Sequence, residues 1–185
     1  MVAISELWLP ILLAAVVVFI ASSVIHMVLG YHKHDMGAVP NEDATMDALR
    51  ALKIPYGEYM VPKPYTMEQM RTPEFKAKLE RGPVVHLNVI HATFGMGKNL
   101  AQWFIYLLVI GFCCAYIASR ELEHGAQYLS VFRLVGFTAF MGYALALPQA
   151  AIWYHHSWRA TLITMVDGLV FAALTGGVFG WLWPH

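Results

Sequence analysis

Apolar residues along this chain gather into four long runs, and most of the charge is collected between the first and the second. The runs cover about residues 7–30, 100–118, 128–153 and 160–183. Each is long enough to cross a hydrocarbon core of about 30 Å as a helix. The first run lacks the basic start of a signal peptide, since Glu6 is the only charge before it, and it is too long for a signal h-region. It therefore reads as an uncleaved span. Pro148 lies inside the third run and predicts a kink near Ala144. In the last run small residues recur at every fourth position, with Gly168, Ala172, Gly176 and Gly180 at its heart. In lipid, helices associate by close backbone approach, which such a row permits. A spacing of four drifts round a helix of 3.6 residues per turn, so different neighbours are expected at its two ends. The pattern predicts an all-α integral membrane protein. Its spans form a four-transmembrane-helix bundle, a single membrane domain over 1–185, with a long, partly helical loop between helices 1 and 2.

That loop, 31–97, carries two helix signals. Asn41 before Glu42 and Asp43 opens an amphipathic piece that runs through Leu52. Thr72-Pro73-Glu74 is a cap, a proline at the first helical position and an acid, and the helix it opens stops at Gly82-Pro83. The proline- and tyrosine-rich stretch between them is expected to lie along the headgroup region. Residues 84–94 are expected to lead into the second span along the interface.

Composition supports the membrane reading: 58% of the 185 residues are hydrophobic, 13% are charged, and the net charge is zero. The neutral balance argues against nucleic acid as a partner and leaves the lipid bilayer, with a second copy or another membrane protein. Cys113 and Cys114 are adjacent in an apolar run and read as packing residues. Four spans put both termini on one side. The opposite side holds Lys33, Arg50, Lys98, Arg159 and the other basic residues of the loop, whereas the terminal side holds Arg120 and Arg133. The positive-inside rule then places loop 31–97 in the cytoplasm and the termini outside, in a cytoplasmic (inner) membrane.

Candidate chemistry concentrates on the loop side, where seven of the nine histidines fall. Asp167 lies roughly 10 Å into the last span from that side, at the rise of a helix. His26, Gln149 and Gln102 enter from the other three spans at similar depth, which predicts an intramembrane polar cluster. Asp167 and His26 are expected to face each other, directly or through one water. His32, His34, His155 and His156 are candidate metal ligands, although they follow no recognised ligand spacing. Haem is disfavoured, because only His26 lies inside a span to serve as an axial ligand. No nucleophile motif, phosphate loop or nucleotide fingerprint occurs, so no catalytic residue is assigned.

The stretches PNEDATMDALR, GEYMVP, TPEFKAKLERGP, MGKNLAQWF and DGLVFAALTGGVFGWLWP resemble a family of small bacterial four-span integral membrane proteins without an assigned activity. The resemblance implies a bacterial cytoplasmic membrane setting and the four-span fold. It carries over no residue roles. The leading expectation is a non-enzymatic accessory or assembly subunit that packs against itself or a larger membrane complex. A small proton- or cation-coupled transporter centred on Asp167 is the alternative, and a metal-dependent membrane enzyme ranks third.

Overall fold

The computed structural model describes residues 1–91 and 95–185, and its chain divides into two compact units. The first, Met1–Met36 with Gly95–His185, holds four helices long and apolar enough to cross a membrane: Ile4–Leu29, Met96–Glu121, Tyr128–Tyr154 and Trp158–Trp181. Helix α1, Trp8–Val24, forms from a run without a charge, and its Pro10 sits in the first turn, where a missing N–H costs nothing. A wider π turn, Ile25–Leu29, extends it to Gly30, whose φ of 63° ends the span in a left-handed cap. Helix α5, Met96–Glu121, forms the second span.

The third span is broken in its middle. It begins as α6, Tyr128–Phe140, and passes through a π turn at Met141–Leu145. It resumes at Pro148, the first residue of α7, Pro148–Tyr154. The break follows from the proline, which cannot supply the N–H that a continuous helix would need. The carbonyls it frees find other donors: Ala144 accepts from Leu147 N at 3.1 Å, and Gly142 accepts from the Tyr106 hydroxyl at 2.8 Å. Helix α8, Trp158–Trp181, closes the unit and is capped by Ser157.

Helix α1 packs against α5 and α8, and α6 packs against the same two. The core lies where they meet. It is lined by Ala14, Ala15 and Val18 from α1, Leu107 and Cys114 from α5, Val131 and Val135 from α6, and Phe171 and Phe179 from α8. Cys114 is buried and Cys113 exposed, with no disulfide between them.

From Gly168 to Gly180 the small-residue row of α8 meets one neighbour, the third span. A Cβ on Gly168 would lie 2.9 Å from Ala144 Cβ, one on Gly176 2.8 Å from the Phe132 carbonyl, and one on Gly180 2.7 Å from the Tyr128 ring. Ala172 presents its carbonyl to Gly136 in the same seam. A straight helix would lose a row that drifts about 40° per repeat. The π turn re-aims the third span where it meets Gly168, so one helix follows the row from Gly168 to Gly180.

The second unit, Gly37–Phe94, is built around a two-stranded antiparallel sheet. Strand β1, Gly57–Val61, pairs with β2, Val85–Val89, in a register that sets Tyr59 opposite Leu87. Both expected helices form: α2, Glu42–Ala51, with Asn41 accepting from Ala44 N, and α4, Pro73–Arg81, with Thr72 accepting from Phe75 N. A short α3, Met67–Arg71, precedes α4. Parts of the two stretches expected along the headgroup region and the interface are strands. The reason is the alternation of Val85, Leu87 and Val89 with His86 and Asn88, a period of two. Residues 92–94 of that lead-in lie outside the described residues. Phe75 is the one buried side chain among the described residues of this unit.

Candidate functional site

The site is assembled by the reversal of the chain after the first span. Gly30 can take a positive φ at little cost, and from it Tyr31–His34 fold into a 3₁₀ turn, with Lys33 N donating to the Gly30 carbonyl at 3.3 Å. The turn carries Tyr31 and His32 onto α8. There the Tyr31 hydroxyl donates to Asp167 Oδ1, and His32 Nε2 lies 2.7 Å from Asp167 Oδ2. Asp167 is only 2% exposed, and each of its oxygens has a partner. In a region that lipid cannot hydrate, such closure is what makes a carboxylate tolerable.

The other ring nitrogen of His32 is engaged as well: Nδ1 lies 2.6 Å from Asp35 Oδ2. A carboxylate oxygen only accepts, so a ring set between two carboxylates is satisfied when both nitrogens carry protons. His32 then bridges Asp35 and Asp167 as an imidazolium. The cluster keeps one net negative charge, because among the described residues neither aspartate pairs with any other cation. Asp35 Oδ1 is buried with no hydrogen-bond partner. Burial pushes the Tyr31 hydroxyl up to about 12, and its bond to Asp167 and the carboxylate's charge add to the rise, so it stays a donor. Burial alone would pull the His32 pKa down. The hydrogen bonds and charges of Asp35 and Asp167 outweigh it and hold the ring above its ordinary value.

His26 stands beside this network. Its Nδ1 donates to the Ser22 carbonyl at 2.9 Å, and its ring stacks on His32 with centroids 4.5 Å apart and planes 3° from parallel. The π turn is what places it there, since the widened turn shifts its side chain relative to a regular helix. Ser22 is held in turn by Trp103, whose indole N–H donates to its hydroxyl at 3.0 Å.

The structure sorts the expected residues. His26 makes no direct bond to Asp167, yet one ligand atom from each of His26, His32 and Asp167 lies within 4.8 Å of the others. Gln102 and Gln149 do not join them: both are exposed and, among the described residues, carry no hydrogen bond to Asp167. Of the histidines weighed for metal, only His32 is in the cluster; His34, His155 and His156 are exposed. His155 takes a φ of 55° and ends α7. Tyr31 and Asp35 were missed, because depth along a helix says nothing of residues beyond its end. The available signal was Gly30, a helix-ending glycine directly before Tyr-His-Lys-His-Asp.

Compared with family models, curated proteins and solved structures, the chain matches none.

Proposed function

We propose that the chain is a non-enzymatic, multi-pass protein of the bacterial cytoplasmic membrane, an accessory or assembly subunit that packs against a larger membrane complex or against itself. The observation that carries this reading is the exposure of Gln102 and Gln149 on the outer faces of two spans. A carboxamide there finds no partner in lipid, whereas a neighbouring protein helix can bond it for about 1 kcal/mol. The small-residue rows do not carry the reading, because Gly168, Gly176 and Gly180 meet the third span of the same chain and Gly111 meets Ile11. Light scattering after extraction in mild detergent tests it. The native protein should run in an assembly larger than one 20.8 kDa chain, and Gln102→Leu with Gln149→Leu should release a folded monomer. A monodisperse native monomer would remove the reading.

Buried Asp167 favours a second reading, the proton- or cation-coupled transporter. Against it stands the terminal half of the bundle, where the buried hydroxyls of Ser119 and Thr175 donate to carbonyls of their own helices and the other buried side chains are apolar. Uptake into proteoliposomes that vanished in Asp167→Asn would favour the transporter. For orientation we propose loop 31–97 inside and both termini outside, following the distribution of basic residues. Reporter fusions at His185 and within 55–64 should give opposite signals, and a cytoplasmic signal at His185 would reverse the assignment.

A further inference from the structure

We infer that His26, His32 and Asp167 form a binding site for one divalent transition-metal ion, of the borderline class that includes zinc and cobalt(II). The inference goes beyond the accessory reading and does not depend on it.

Three features point to a metal. The donor set is two imidazoles and a carboxylate, with one ligand atom from each within 4.8 Å of the others. Metal–ligand bonds of about 2.0–2.2 Å at tetrahedral angles put neighbouring ligand atoms about 3.4 Å apart, so a gap of 4.8 Å must close by about 1.4 Å and the 2.7 Å between His32 Nε2 and Asp167 Oδ2 must open. The outer partner of His32 is already in place: its Nδ1 faces Asp35, which leaves Nε2 as the metal donor. The His26 ring, exposed and stacked parallel to His32, must turn out of that stack to aim an in-plane lone pair at the same ion, with the Ser22 carbonyl at hand for its Nδ1. Metal-bound histidines are oriented by just such carbonyl and carboxylate partners on the far nitrogen. The surroundings favour a cation as well: two carboxylates, Asp35 and Asp167, flank the His32 ring, and Asp35 Oδ1 is buried without a partner.

The ligand types narrow the choice of ion. Calcium and magnesium prefer six or more oxygens, and two imidazoles select against them. A thiolate-loving ion such as copper(I) finds no sulfur here, since neither cysteine belongs to the cluster. In binding, His32 Nε2 would exchange its proton for the ion, and Asp167 Oδ2 would exchange the imidazole for it. Tyr31 would keep its bond to Asp167 Oδ1 and hold the carboxylate in orientation.

The test uses the full-length protein in mild detergent, freed of metal with a chelator. Zinc binding is followed by calorimetry and cobalt(II) binding by its absorption spectrum. The expected result is one ion per chain. His26→Gln should weaken binding at least tenfold without unfolding the protein, because its ring is exposed and the Tyr31–Asp167–His32–Asp35 network does not need it. Asp35→Asn should weaken it by about 10–100-fold through the orientation of His32. His155→Ala with His156→Ala should leave it unchanged. Absence of a stoichiometric ion would overturn the inference, as would binding that survives His26→Gln or is lost with His155 and His156. None of these outcomes bears on the size of the native assembly, so the accessory reading is judged separately.

Discussion

The two ends of the four-helix unit are held by different physics. At the terminal end the buried contacts are steric and backbone-borne, and the one ion pair there among the described residues, His124 with Glu6 at 2.9 Å, is exposed. Gly176 and Gly180 let α8 approach α6, the Trp183 indole donates to the Glu123 carbonyl at 2.9 Å, and Gly125 N donates to the Pro184 carbonyl at 2.8 Å. At the other end the contacts are ionic and side-chain-borne, and Asp167 is closed by Tyr31 and His32, with Asp35 behind them. The first end should resist changes of volume at its buried seam, where, among the described residues, no charge is buried. The second tolerates modest changes of shape and fails when charge is removed from one partner alone. The unit is thus closed by steric packing at one end and by paired, buried side chains at the other.

The largest expected effect lies at the ionic end. Asp167→Ala removes the carboxylate from both of its partners and should cost about 3 kcal/mol, read from reversible unfolding in mixed micelles. Asp167→Asn keeps the shape and an acceptor for Tyr31 but loses the charge, so it should cost nearly as much. A clearly smaller cost would mean that charge does not govern this end.

Next comes the steric end. Gly176→Leu forces bulk against the Phe132 carbonyl, which cannot move aside, and should cost about 2 kcal/mol. Val178→Leu, on a partly buried position of the same helix, should stay within about 0.5 kcal/mol of the native protein. Equal tolerance of the two changes would erase the contrast between the ends. Tyr31→Phe is a smaller change: it leaves one Asp167 oxygen without its donor and should cost about 1 kcal/mol.

The smallest expected effect is of pH between about 6 and 9, and it belongs to the end that holds His32. The folded His32 pKa is raised, so its stabilisation is complete below the unfolded histidine value of about 6.5. It is lost as pH rises through the folded value. Metal-free protein should therefore unfold more readily at about pH 9 than at about pH 6, and Asp35→Asn should flatten that difference. A stability that rose over this interval would contradict the bridging role of His32.

Much of this arrangement was legible in the chain, and the losses have definite causes. The four spans follow from long apolar runs, and the caps at Asn41 and Thr72 from residue types that bond the first free N–H groups of a helix. The strands Gly57–Val61 and Val85–Val89 were hidden, because five residues between prolines and histidines give a weak periodic signal beside a span. The seam was visible as a row of small residues, but its partner was not, since a local break in another helix decides who can follow the row. At the site, depth singled out Asp167 and His26. It gave no access to Tyr31, His32 and Asp35, which arrive by the turn at Gly30 and not by helical rise.

The claim on which the rest depends is that the chain closes its own buried charge through His32 and Asp167. A double-mutant cycle with His32→Gln, Asp167→Asn and the double variant, measured as unfolding free energy in one detergent, addresses it directly. The account predicts a coupling of about 1–3 kcal/mol between the two positions, with the double variant more stable than the sum of the single losses allows. Single losses that simply add would contradict it.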